Sequence, residues 1–121
     1  MKRLSSLILL LPLVLLVGCS EAKIPLFNPL ASPVNRLASA REVNTEVNNK
    51  IADFVAKGWI TQETVNKDFA PFLDPIPKEE DAVEAFLKAN KPASAVSKLD
   101  SIAISLRQIR GALAAIQRSR R

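Results

Sequence analysis

The sequence predicts an all-α fold, a small bundle of three to four helices, and two observations support this prediction. Two long stretches carry core positions spaced alternately three and four residues apart, as on one face of a helix or coiled coil. Prolines stand at the junctions of these stretches rather than inside them. The core positions are Leu37, Ala40, Asn44, Val47, Ile51 and Phe54 in the first stretch, and Leu99, Ile102, Leu106, Ile109, Leu113 and Ile116 in the second.

The composition removes most kinds of catalytic site. The 121 residues include no His and no Tyr, one Cys and one Trp. Without His, Ser and Cys nucleophiles lack their usual general base, and metal ions lack an imidazole ligand. A single Cys cannot form an internal disulfide. We therefore expect a protein that is not an enzyme and holds neither a metal nor another cofactor.

The first 18 residues have the pattern of a signal peptide. Lys2 and Arg3 precede an almost entirely apolar stretch from Leu4 to Val17. A membrane-spanning helix needs roughly 20 apolar residues, so the shorter stretch favours a cleaved signal peptide over an uncleaved anchor helix.

The apolar stretch closes with Leu16-Val17-Gly18-Cys19, which resembles the lipobox of small bacterial or phage-encoded lipoproteins. The resemblance covers residues 1–20 and implies cleavage after Gly18 and acylation of Cys19, with palmitate among the usual chains. Ser20 is not the Asp associated with inner-membrane retention. The resemblance therefore implies an outer-membrane lipoprotein facing the periplasm, if the host is Gram-negative. A buried or chance Cys is the alternative.

Residues 19–33 predict an acylated N-terminus and a proline-rich tether. Pro25, Pro29 and Pro33 bias their predecessors away from helix. Such a tether would lift the domain off the membrane by up to about 3 Å per residue. Its apolar residues either pack onto the domain or enter the lipid headgroup region, and both alternatives stay open. They are Ile24, Leu26, Phe27 and Leu30.

The bundle itself is expected at residues 34–121. Its first predicted helix, at about residues 34–57, ends at Lys57-Gly58, because glycine readily adopts the left-handed conformation that closes a helix. Asn44 has two interpretations. Either it occupies a core position and fixes the register, or the helix is rotated so that Val43 points inward.

The second predicted helix spans about residues 61–70, with Thr61 as its N-cap and Pro71 as its end. Apolar and aromatic side chains concentrate around it. They either close one end of the bundle, which we favour, or form a surface that contacts a ligand or peptidoglycan. These residues are Trp59, Phe69, Phe72 and Leu73.

The third predicted helix spans about residues 78–90 and opens with Glu79, Glu80 and Asp81. Acidic side chains stabilise a helix start. We favour a solvated helix start over a divalent-metal site, because no glycine-containing loop supplies carbonyl ligands. The fourth predicted helix spans about residues 93–118, and mostly small residues flank its core positions. They permit close packing against more than one neighbour.

Positive charge is concentrated in the last 21 residues, which contain five Arg and no acidic residue. Arg118, Arg120 and Arg121 form a basic terminus, a candidate contact for anionic lipid headgroups or an acidic partner. Compensation of the helix dipole is the alternative. Nucleic acid is a poor partner, because three arginines are a small electrostatic footprint.

These features predict a non-enzymatic lipoprotein, anchored in the membrane through Cys19, that serves as a periplasmic scaffold or adaptor for a protein or envelope partner. A second hypothesis is a phage-derived lipoprotein, of either the spanin-like lysis or the superinfection-exclusion kind. Spanin-like subunits are largely unstructured, whereas the chain from Val34 onward has a helical pattern. A third hypothesis is an enzyme that uses only Ser, Lys or carboxylates.

Overall fold

A computed structural model of the chain describes residues 23–120, and within this range it contains helices and no strand. The predicted all-α bundle is confirmed. Three long helices form it: α1 at Pro33–Ala56, α3 at Ile76–Lys88 and α4 at Pro92–Ser119. A shorter helical segment, α2, covers residues 62–73, and a 3₁₀ helix at Pro25–Phe27 precedes α1.

Helices α1 and α4 run in the same direction. Near their starts, Arg36 pairs with Asp100. Near their ends, the Arg120 guanidinium donates a hydrogen bond to the Trp59 carbonyl. Helix α3 runs in the opposite direction and packs against both long helices. The bundle therefore has two distinct ends, one where α1 and α4 begin and one where they finish.

One contiguous core fills the space between the helices. The register of α1 follows the second interpretation of its pattern, since Val43 is buried and Asn44 is only half-buried. Asn44 lies beside Asn48, whose side-chain amide donates to the Asn44 carbonyl at 2.7 Å. The buried members from α1 and α4 are Leu37, Ala40, Val43, Val47, Ile51, Phe54, Ala95, Leu99, Ile102, Ala103, Leu106, Ile109 and Leu113.

Helix α1 ends in a Schellman motif. Gly58 has φ +75°, and its N–H donates to the Val55 carbonyl at 3.0 Å. The Trp59 N–H reaches back to the Phe54 carbonyl at 2.9 Å, and the Phe54 and Trp59 rings lie 5.0 Å apart. This hydrophobic contact commonly accompanies the motif. The sequence placed the end of the helix at this glycine.

Helix α2 continues beyond Pro71, the residue expected to stop it. It consists of an α turn at Gln62–Thr64, a π turn at Val65–Phe69 and an α turn at Ala70–Leu73. The Ala70 N–H donates to the carbonyl of Val65, five residues back. Pro71 then falls in the first turn of Ala70–Leu73, where its missing N–H costs little. Thr61 is the N-cap, as predicted, and accepts from the Thr64 N–H.

Helix α3 begins at Ile76, two residues before the predicted start at residue 78. Pro77 is again tolerated because it lies in the first turn. The helix closes in a second Schellman motif, with Asn90 at φ 57° and the Lys91 N–H donating to the Phe86 carbonyl at 2.8 Å. Among residues 23–120, no helix combines the length and the apolar character needed to cross a membrane.

Candidate functional site

The N-terminal segment, residues 23–32, is fastened to α1 through the backbone of Leu26. The Leu26 N–H donates to Ser39 Oγ at 3.1 Å, and Arg36 Nε donates to the Leu26 carbonyl at 3.1 Å. The Leu26 side chain is fully buried. Leu26 is thus held by both of its backbone polar groups and by its side chain, which fixes where the chain enters the bundle.

Arg36 connects three parts of the molecule. Its side chain is only 4% exposed, and its terminal guanidinium nitrogen lies 2.9 Å from Asp100 Oδ1 on α4. A guanidinium is costly to bury unless its donors find acceptors. Arg36 has two: the Leu26 carbonyl and the Asp100 carboxylate. This buried cation therefore joins the N-terminal segment, α1 and α4.

Phe27 docks against the basic part of α4. The guanidinium carbons of Arg107 and Arg110 lie 5.0 and 5.5 Å from the centroid of its ring, within cation–π range. The two arginines are three residues apart, so they share one face of the helix. Two of the five arginines in the last 21 residues therefore lie beside the N-terminal segment.

Residues 24–27 of the predicted proline-rich tether pack onto the domain, which was one of the two alternatives for its apolar residues. Leu26 and Phe27 are buried in the core, and Ile24 packs against it. Burial of these apolar side chains is favourable, which is why a segment with two nearby prolines folds back onto the domain. Leu30 behaves differently and is 93% exposed. Packing onto the domain, one of the two alternatives left open by the sequence, therefore applies to Ile24, Leu26 and Phe27 and not to Leu30.

Sequence reasoning missed Arg36 and Ser39 as docking residues. They stand seven and four positions before Val43, so they share its helix face once α1 is rotated to bury Val43. The hydroxyl and the guanidinium then face the N-terminal segment rather than water. The sequence left open whether Val43 or Asn44 faces the core. Choosing Val43 would have placed Arg36 and Ser39 on the same inward face of α1.

The predicted lipidation site, Cys19 with cleavage after Gly18, lies outside the described residues, as does Arg121. Of the remaining basic terminus, Arg118 is half-buried. Arg120 donates to the Trp59 carbonyl at 3.2 Å and so ties the end of α4 to the turn after α1. These arginines lie at the end of the bundle where α1 and α4 finish, away from the start of α1.

The predicted aromatic cluster packs largely into the core. Phe69 and Leu73 are buried, and Trp59 is half-buried against Phe54. Phe72 is the exception, with 47% of its side chain exposed. Three of the four residues therefore pack inward, and one apolar ring stays on the surface.

Glu80 departs from the predicted solvated helix start. It is only 4% exposed, and its Oε2 atom has no hydrogen-bond partner. Burial raises the pKa of the Glu80 carboxyl, and Asp81 raises it further, while Arg41 opposes both effects. Arg41 lies 3.6 Å from carboxylate oxygens of both Asp81 and Glu84. Within residues 23–120, no group of three or more His, Cys, Asp or Glu is placed to hold a metal ion.

A shallow, open groove runs between α3 and the start of α4. Phe86, Lys98 and four small residues line it. Those small residues are Ala93, Ser94, Ser97 and Ser101. The groove has the form of a surface depression rather than an enclosed pocket.

Neither a family model, nor a curated protein, nor a solved structure matches this chain.

Proposed function

We propose that this protein is a non-enzymatic lipoprotein that holds a helical bundle at the periplasmic face of the outer membrane, as a scaffold or adaptor for a protein or envelope partner. The observation that carries the proposal is Leu16-Val17-Gly18-Cys19 at the end of a short apolar stretch. Each buried methylene of an acyl chain contributes about 0.8 kcal/mol, so two or three chains anchor a protein stably.

The docked segment supports this proposal because it gives the anchor a mechanical connection to the fold. Leu26 follows Cys19 by seven residues. Seven extended residues span at most about 25 Å. An acyl group on Cys19 would therefore hold the whole bundle close to the bilayer. Force on the anchor would reach α1 and α4 through Leu26 and Arg36.

The proposal is tested by intact mass and membrane fractionation of the wild type beside Cys19→Ala. We expect the wild type to lose residues 1–18, to gain acyl mass and to float with the outer membrane. The variant should do none of these. Cys19 lies before the docked segment, so both proteins should show the same helical circular dichroism. Identical mass and fractionation for the two proteins would refute the lipid anchor.

The scaffold role is tested separately, by crosslinking the acylated protein in cells and identifying what it binds. We expect a reproducible envelope partner that is lost with Cys19→Ala, because the unanchored protein no longer meets it at the membrane. Host lysis that depends on Cys19 would instead replace the scaffold role with a lysis function. A hydrolase activity that survives purification would likewise overturn it.

A further inference from the structure

Glu80 on α3 is a buried carboxyl group whose bonding is incomplete. Only 4% of the residue is exposed, and its Oε2 atom has no hydrogen-bond partner. An ionised carboxylate is costly to bury unless a cation or hydrogen-bond donors reach it. Glu80 is therefore stable in two forms, as a protonated carboxyl that needs no cation or as a carboxylate that acquires one.

Arg41 of α1 brings a cation to the neighbouring part of α3. One of its terminal guanidinium nitrogens lies 3.6 Å from Asp81 Oδ1 and 3.6 Å from Glu84 Oε2. Asp81 is the residue after Glu80, and Glu84 follows Glu80 by four positions. Residues four apart on a helix are neighbours on its surface. The guanidinium is therefore held beside the turn of α3 that contains Glu80.

The contacts that hold Arg41 in this place are weak. A charge-assisted hydrogen bond to a carboxylate is shorter than either of its two ion pairs. The Arg41 side chain is 44% exposed and that of Asp81 is 77% exposed. Exposed ion pairs contribute little to stability. Arg41 can therefore leave Asp81 and Glu84 at a small cost, and its exposed side chain can rotate.

The charges that act on Glu80 come from both sides of the α1–α3 interface. Burial raises the pKa of the Glu80 carboxyl, Arg41 opposes that rise, and Asp81 adds to it. Helix α4 also packs against α3, and its charged side chains with described contacts meet other groups. They are Lys98 at the groove beside Phe86, Asp100 with Arg36, Arg107 and Arg110 at the Phe27 ring, and Arg120 at the Trp59 carbonyl.

We propose that the α1–α3 interface is a pH-responsive contact in which Arg41 changes partners. While Glu80 is protonated, Arg41 bridges Asp81 and Glu84 at the surface. When Glu80 loses its proton to solvent, Arg41 turns to it and neutralises the buried carboxylate. Arg41 gives up its two surface partners in this exchange, so ionisation of Glu80 stays less favourable in the folded chain than in the unfolded one. The exchange does not depend on the lipid anchor.

The exchange is tested by NMR on the isotope-labelled full-length protein in detergent micelles, titrated from below pH 4.5 into the alkaline range. The ¹³C shifts of the side-chain carboxyls give the pH at which Glu80 ionises. Nuclear Overhauser contacts between the δ-methylene of Arg41 and the γ-methylene of Glu80 or of Glu84 show which carboxylate the arginine lies beside.

We expect Glu80 to ionise above pH 4.5, and the Arg41 contacts to move from Glu84 to Glu80 at that same pH. Glu80→Gln is the matched variant, since its amide has nearly the same shape and stays neutral at every pH. In this variant Arg41 should remain beside Glu84 throughout the titration. Glu79→Gln, which keeps Glu80, should show the same exchange as the wild type.

Three results would overturn the exchange. The first is an Arg41 side chain that stays beside Glu84 while Glu80 ionises, because other donors would then stabilise the carboxylate. The second is an exchange that persists in Glu80→Gln, because another titrating group would then move Arg41. The third is a Glu80 carboxyl that ionises at or below pH 4.5. If Glu80→Gln does not fold, the wild-type titration alone decides between exchange and a static Arg41.

Discussion

Arg36 is the residue on which the docking of the N-terminal segment depends most. Replacing it with Met keeps much of the side-chain volume but removes the donors to the Leu26 carbonyl and to Asp100. We expect Arg36→Met to lower the free energy of unfolding by about 2 kcal/mol, because a carbonyl beside a buried side chain loses its partner. Urea denaturation monitored by circular dichroism measures the change.

The control for this prediction is Asp100→Asn. The Asp100 side chain is 58% exposed, and an exposed ion pair contributes less than about 1 kcal/mol. Asn can still accept from the guanidinium while Arg36 continues to hold Leu26. If both variants lower the free energy of unfolding by the same amount, the ion pair rather than the Leu26 contact stabilises this region.

Glu80 gives the molecule a pH dependence of its own. Burial raises its pKa above the ordinary value of 4.5, so the folded state favours the protonated carboxyl more than the unfolded state does. Its stabilising contribution is therefore complete below 4.5 and is lost as pH rises from there through the higher folded-state pKa. We expect Glu80→Gln to remove this decline and to be more stable than the wild type at neutral pH.

Urea denaturation at several pH values on both sides of 4.5 measures this effect. The matched control is Glu79→Gln, which changes the neighbouring, half-buried carboxyl and keeps Glu80. Glu79→Gln should retain the wild-type pH dependence attributed to Glu80. A Glu80→Gln variant with an unchanged pH profile would show that the Oε2 atom gains a partner in solution.

At the scale of the helices, two glycines should respond to alanine with opposite signs. A Cβ at Gly58 or at Gly111 meets nothing within 4 Å, so neither position is sterically crowded. Gly58 has φ +75°, where a side chain costs about 1–2 kcal/mol. Gly111 lies inside α4, where alanine is about 1 kcal/mol better than glycine. We expect Gly58→Ala to lower the Tm and Gly111→Ala to raise it.

Thermal unfolding followed by circular dichroism compares these two variants directly. Each has the other as its control, since the chemical change is identical and only the backbone conformation differs. A lower Tm for Gly111→Ala would contradict the prediction, because it would show that alanine does not stabilise α4 at this position.

The long helices could be predicted from the sequence because their signals are local. Apolar spacing placed α1 and α4, and Gly58 placed the end of α1. The passage of α2 through Pro71 was not predictable in this way, because the π turn at Val65–Phe69 shifts the hydrogen bonding before the proline. The rule that proline ends a regular α-helix therefore places the end of α2 too early.

The candidate site was predictable only in part, for a similar physical reason. The lipobox-like pattern at Cys19 is contiguous in sequence, so it is visible without a structure, and it stays a prediction. Arg36, which holds Leu26, also pairs with Asp100, 64 residues further along the chain. Such a contact depends on the parallel arrangement of α1 and α4, and no local sequence pattern predicts it.

At the scale of the whole molecule, the N-terminal segment should unfold together with the bundle and not before it. Its Leu26 and Phe27 side chains belong to the same contiguous core as α1, α3 and α4. Small single domains usually unfold in one cooperative step. A segment held by that core, rather than one lying over it, should open only in this step.

Amide hydrogen exchange tests this prediction with two nearby leucines. The Leu26 N–H is bonded to Ser39 Oγ in a buried contact, whereas the Leu30 N–H is bonded to Asn28 Oδ1 on the surface. We expect Leu26 to exchange as slowly as core amides of α4, with the free energy of global unfolding, and Leu30 to exchange through local fluctuation. Equally fast exchange at both leucines would show that the segment detaches from the folded bundle. A lipid anchor at Cys19 would then act on a loose tether, and movement of the membrane would not be transmitted to the helices.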